Sequence, residues 1–171
     1  MRSLAAARNI IFGAEVTLAD ITPDPDYAAL VARECAIITP GIEAKWGNIE
    51  PGDGEFRFGS MDALAEFARG AGLRLHMHNV IWAVGLPAWT LQALRQGRGA
   101  PIIARHAAIV AGRYKDITES WTSSMNLPIH AGRAAPKDCA RRRGAIYRAA
   151  IRHACARRDT CGGTRGAAAD Q

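Results

Sequence analysis

The chain has 171 residues, a length that suits one domain with a real hydrophobic core, and 49% of them are hydrophobic. No run of eighteen or more apolar residues is present, so a membrane span is not expected, and a chain that folds should be soluble. The formal net charge of +6 suggests a nucleic-acid binder until it is located: residues 1–121 carry 12 Lys and Arg against 13 Asp and Glu, and residues 122–171 carry 10 against 3.

The basic excess therefore belongs to the last fifty residues, which hold a single aromatic, Tyr147, and no stacking platform. Nucleic acid is not an expected partner. The first residues, Met1 to Arg8, lack an apolar segment of signal-peptide length, since Arg8 and Asn9 precede Ile10. No export signal is read there. The cysteines, Cys35, Cys139, Cys155 and Cys161, fit neither a C-x-x-C metal site nor a redox pair, and no metal or cofactor is expected. Cys35 is expected as a small buried apolar side chain.

In chain order, Ile10 to Val16 is a short apolar, β-branched run that predicts a buried strand. Residues 25–35 predict a helix, with Leu30 and Val31 at helical spacing from Tyr27. Ala36 to Thr39 predicts a second strand, followed by a long loop through Gly54. Residues 61–70 predict an amphipathic helix stopped by Gly70 and Gly72. Leu73 to Trp82 predicts a third strand. Residues 101–114 predict a helix with Pro101 in its first turn and Ile102, Ile103, Ala107, Ile109 and Val110 as apolar positions. A fourth strand is expected at about 117–122.

This alternation predicts an α/β fold of right-handed βαβ units with a parallel sheet. In parallel barrels the chemistry sits on the loops after the carboxyl ends of the strands, which directs attention to 39–59, 76–100 and the segment after Trp121.

Two of those segments carry long motifs. Thr39-Pro40-Gly41-Ile42-Glu43-Ala44-Lys45-Trp46, followed by Glu50-Pro51-Gly52-Asp53-Gly54-Glu55-Phe56-Arg57-Phe58, is similar to the family 10 glycoside hydrolase pattern T-P-E-N-x-x-K-W-x-x-x-E-P-x-x-G-x-F-x-F. His76 to Trp89 resembles the same family's G-H-x-L-V-W-H-x-Q-x-P-x-W. The resemblance covers residues 8 to 121. It implies a partial (β/α)8 TIM barrel, its first three to four βα units, and an endo-1,4-β-xylanase type of activity, with xylan-like β-linked polysaccharide as partner. Residues 122–171 are expected to form an irregular or helical tail, with Ile146, Ala150, Ile151 and Ala154 as a weak apolar stripe.

By the same resemblance, Lys45 and His78 hydrogen-bond sugar hydroxyls and Trp82 walls the subsite next to the scissile bond. Taken singly, each has a plainer reading: a solvated loop lysine, a satisfied core histidine, a packing tryptophan. The departures matter as well. Gly41-Ile42 stand where the family has Glu-Asn, and Ala83 and Gly85 stand where it has His and Gln. Each lost polar contact costs on the order of 1–3 kcal/mol.

Retaining glycosidases need two carboxyl groups, an acid/base and a nucleophile, and the family places its acid/base after the fourth strand in W-D-V-V-N-E. Here Trp121 is followed by Thr122-Ser123-Ser124-Met125-Asn126-Leu127, and Asn126 takes the acid/base position. Shifting the frame by one base after Trp121 forces Thr122 to Asp and Asn126 to Glu, and permitted codons restore W-D-V-V-N-E-P. Cys139 is likewise forced to Leu within a segment resembling D-G-L-R-x-x-P-W. The expectation is a first portion, 1–121, in frame and a tail, 122–171, out of frame through loss of one G. A non-catalytic sugar-binding remnant and a product without function are the alternatives.

Overall fold

The computed structural model describes residues 1–82 and 85–125. Its elements are α1 (Arg2–Ala6), β1 (Gly13–Val16), α2 (Leu18–Ile21), α3 (Pro25–Glu34), β2 (Ile37–Pro40), α4 (Trp46–Ile49), α5 (Gly59–Gly70), β3 (Arg74–Trp82), α6 (Ala88–Arg95), α7 (Gly99–Tyr114) and β4 (Thr118–Met125). The four strands form one parallel sheet in chain order, β1-β2-β3-β4. This is the arrangement that consecutive βα units of an (β/α)8 barrel produce.

The helices start and stop for local reasons. Asp24 caps α3 by accepting from Tyr27 N at 2.8 Å, and Pro25 supplies the preset φ of a first turn. The stop after α5 is Gly72, at φ +62, a left-handed turn that glycine takes without strain. Cys35, at the end of α3, is buried as expected, and burial pushes its thiol pKa up.

One face of the sheet is apolar. Val16, Ile38, Leu75 and Met77 are buried there with Val31, Met61, Leu64, Val110 and Tyr114 from the helices. A second cluster, Trp46, Val80, Ile81, Ala93, Ile102 and Ala107, fills the space between the α4 loop, β3, α6 and α7, and Trp121 packs against both.

Several expectations need correction. The first strand spans Gly13–Val16 rather than 10–16; Ile10 and Ile11 are 58% and 62% exposed. Among the described residues β1 pairs with β2 alone, and no described strand lies beside these side chains on the other edge, although Phe12 O still accepts from Ala36 N at 2.8 Å. Leu30 and Ile109, counted as apolar positions, are exposed. The buried stripe of α7 instead contains His106, entirely excluded from solvent. The long loop after β2 holds α4, and α1, α2 and α6 had no distinct periodic signal. The fourth strand continues past Trp121 to Met125, which pairs with Trp82. Asn126, Ala83, the three tail cysteines and the stripe at 146–154 lie outside the described residues.

Candidate functional site

Side chains alternate along a strand, so the residues between the buried ones share the other face of the sheet. That face is polar: Glu15 and Thr39 stand opposite one another on β1 and β2, and His76 and His78 stand opposite Ser120 and Thr122 on β3 and β4. His76 is hydrogen-bonded on both ring nitrogens, Nδ1 with Ser120 Oγ at 2.7 Å and Nε2 with Thr122 Oγ1 at 3.1 Å. Beyond His78 the ladder skips a residue before Ile81 pairs with Ser124. Such a bulge re-aims the side chains that follow it, here Ile81 and Trp82.

The three residues expected to hold sugar come together at the carboxyl ends of β2 and β3. Lys45 begins α4, and its Nζ donates to His78 O at 3.1 Å and lies 5.5 Å from the centroid of the Trp82 ring. The plainer reading of Lys45 as a solvated loop lysine fails, because its ammonium is half-buried and engaged. Burial lowers its pKa, with Glu15 acting in the opposite sense. The His78 pKa is also lowered, first by burial and then by Lys45 and His76, again opposed by Glu15. The shift favours the neutral imidazole, which donates from one nitrogen and accepts at the other. A cation, a neutral imidazole and an aromatic wall suit a ligand rich in hydroxyl groups with an apolar face.

The departures at Gly41 and Gly85 have a steric counterpart. A Cβ on Gly85 would lie 2.5 Å from Trp82 Cε3, so the ring occupies the space that a side chain there would need. A Cβ on Gly41 would meet Thr17 Cγ2 at 2.8 Å and Glu15 Oε1 at 3.1 Å.

Beneath the site lies a buried polar cluster that sequence reasoning missed. Glu50, fully buried, accepts from Trp46 Nε1 at 3.1 Å, Gly54 N at 3.0 Å and His106 Nδ1 at 2.8 Å, and is ion-paired with Arg105. Arg105 also reaches Asp53 at 2.7 Å. Trp89 Nε1 donates to Glu50 O at 3.1 Å across 39 residues of sequence, so the two motifs interlock through Glu50 as well as through Lys45 and His78. The available signal was the spacing of Trp46, Glu50 and Trp89 within the motifs. Arg105 and His106 had none.

His106 stacks on Trp46 at 4.0 Å between ring centroids. Its Nε2 has no partner among the described residues, and burial, outweighing the bond to Glu50, holds its pKa down to about 4. Unfolding restores an ordinary value near 6.5. Above that value neither state takes the proton; between 6.5 and about 4 the unfolded chain takes it and the folded chain does not. Stability is therefore expected to fall through this window by roughly 3 kcal/mol. Urea unfolding at pH 7 and pH 4.5 checks this: the difference should shrink by most of that amount in His106→Gln, and an unchanged difference would refute the assignment.

Glu43 is buried, and its carboxylate accepts from Leu18 N at 2.6 Å and Ile42 N at 3.3 Å. It fastens α2 to the loop after β2. Among the described residues no cluster of His, Cys, Asp or Glu is arranged to hold a metal ion, and no helix is long and apolar enough to cross a membrane. A surface depression lined by Leu18, Ile42, Glu43, Asn48 and Arg57 among others includes none of Lys45, His78 and Trp82.

A model of glycosyl hydrolase family 10 matches residues 1–135. Among curated proteins, endo-1,4-beta-xylanase 3 of Hypocrea jecorina is 31% identical over 94 residues, 55% of this chain and 27% of its own length. Endo-1,4-beta-xylanase A of Phanerodontia chrysosporium is 27% identical over 124 residues, 71% of this chain and 30% of its own. The chain thus spans less than a third of these relatives. A psychrophilic glycoside hydrolase family 10 endo-beta-1,4-xylanase superposes with a TM-score of 0.73 at 24% identity, over 88% of this chain and 52% of that one. A family 10 xylanase of Thermobacillus composti superposes at 0.62 with 29% identity, over 70% and 38%. The four-stranded sheet is a portion of a (β/α)8 barrel.

Proposed function

The chain belongs to glycosyl hydrolase family 10, and from that membership we propose that it carries the sugar-holding side of an endo-1,4-β-xylanase-type cleft while the 171-residue polypeptide by itself is not a working hydrolase. The meeting of Lys45, His78 and Trp82 at one end of the sheet supports the first half of the reading. In it, Lys45 and His78 bind hydroxyl groups of a β-1,4-linked xylose chain, and Trp82 lies against a sugar ring.

The second half rests on the acid/base. Asn126 follows Met125, the last residue of β4, at the position where the family's acid stands. An amide has no proton to give a leaving group, so general acid catalysis is lost. The forced codon changes at Thr122, Asn126 and Cys139 support a lost G after Trp121 as the cause, with 122–171 an out-of-frame tail.

The test is binding. A xylo-oligosaccharide is expected to bind the full chain weakly and without turnover. Trp82→Ala should weaken binding about tenfold, equivalent to roughly 1.4 kcal/mol, with the thermal midpoint followed as a check on folding. Equal binding by a folded Trp82→Ala chain would sink the proposal.

A further inference from the structure

We propose that Glu15, at the carboxyl end of β1, is a hydroxyl-binding residue of the sugar cleft, its carboxylate standing in the place that a side chain at position 41 would otherwise take. The inference rests on the sugar-binding reading above and adds a residue that no motif contains.

Three observations meet at Glu15. It is a charged residue inside an apolar strand run, and its side chain is exposed on the polar face of the sheet, opposite Thr39. It borders a shallow depression on that face together with Thr39, His76 and Ser120. Its negative charge is felt by both Lys45 and His78, the two polar residues of the cleft. Its carboxylate is nonetheless uncommitted, with no hydrogen bond or ion pair to another side chain among the described residues. Glu43, by contrast, is buried and bonded to two backbone N–H groups.

Gly41 explains the position. A Cβ there would sit 3.1 Å from Glu15 Oε1, and a longer acidic side chain would bring a second negative charge against the first. The family motif has glutamate at position 41. This chain has none there, and a carboxylate enters the same space from the neighbouring strand. An accessible carboxylate is a strong acceptor for a sugar hydroxyl, because the hydrogen bond is charge-assisted.

The experiment compares xylo-oligosaccharide affinity in the full chain, Glu15→Gln and Trp82→Ala, with thermal midpoints measured in parallel. Glu15→Gln is expected to weaken binding five- to tenfold with an unchanged midpoint, since the exposed side chain supports no other contact. It should also lower the His78 titration midpoint, read by NMR, by removing the charge that opposes Lys45 and His76. Moving the carboxylate back is the sharper arm. Thr17→Ser deletes the methyl that blocks position 41 while keeping the hydroxyl that caps α2. The triple variant E15A/T17S/G41E is expected to recover most of the affinity that E15A/T17S loses. A folded triple variant without recovery, or Glu15→Gln binding as tightly as the unaltered chain while Trp82→Ala binds more weakly, would overturn the assignment of Glu15 alone. Absence of binding by the unaltered chain would overturn both this assignment and the proposed function.

Discussion

The 171-residue polypeptide is expected to release no aryl alcohol from an activated aryl β-xyloside above the buffer rate. Such a leaving group needs little protonation, so the loss of an acid at Asn126 would by itself be tolerated, whereas the loss of the nucleophile would not. The retaining reaction needs a second carboxylate about 5–5.5 Å from the first. Residues 122–171 contain no glutamate, and their aspartates are Asp138, Asp159 and Asp170. In the described part, Glu43 is the carboxylate nearest the Lys45 loop in sequence, and both its oxygens accept from backbone N–H groups. Enzyme-dependent release abolished by Glu43→Gln would show that this half-barrel carboxylate acts as a nucleophile, and the claim would fall. The gene offers a complementary arm. Insertion of one G after the Trp121 codon should open a frame that continues into barrel-like sequence with a second catalytic glutamate, and the product should hydrolyse the same substrate. An early stop in that frame would end the frameshift account.

The alternation of strands and helices was legible because each element has its own hydrophobic period and the stops are written in Gly and Pro. The meeting of Lys45, His78 and Trp82 was legible for a different reason: the spacing of two motifs at the ends of adjacent parallel strands leaves their loops nowhere else to go. What stayed hidden depends on pairings across long sequence distances. His106 scores as a polar break in the α7 stripe, and nothing local reveals that Glu50, fifty-six residues earlier, is its partner. Glu15 is illegible in the same way, since its position has meaning only beside the bare backbone of Gly41, just past the end of the next strand. Ile10, Ile11 and Phe12 have strand composition yet stay outside β1, because burial requires a neighbour and no described strand lies on the outer edge of β1.

Glu50→Ala is expected to be the most damaging single substitution, costing on the order of 3–5 kcal/mol of folding stability. The alanine removes a buried acceptor and leaves three inward-pointing donors, Trp46 Nε1, Gly54 N and His106 Nδ1, without one. Each orphaned buried donor carries a desolvation cost of about 1–3 kcal/mol. Arg105 adds less, because it is 38% exposed, so that its charge is screened by water and its second partner Asp53 remains. Single domains have roughly 5–15 kcal/mol in total, and a sheet whose two outer strands each have one partner among the described residues should sit near the bottom of that range. Glu50→Ala should therefore be largely unfolded without denaturant, with the Lys45 loop lost first because α4 hangs from this carboxylate. Glu50→Gln should cost less: the amide oxygen still accepts one bond, and His106 can switch tautomer to accept at Nδ1 from the amide NH2. Urea titrations followed by tryptophan fluorescence distinguish these outcomes. A Glu50→Ala midpoint within about 1 kcal/mol of the unaltered chain would mean that the cluster is open to water, and the interlock of the two motifs would then rest on Lys45 and His78 alone.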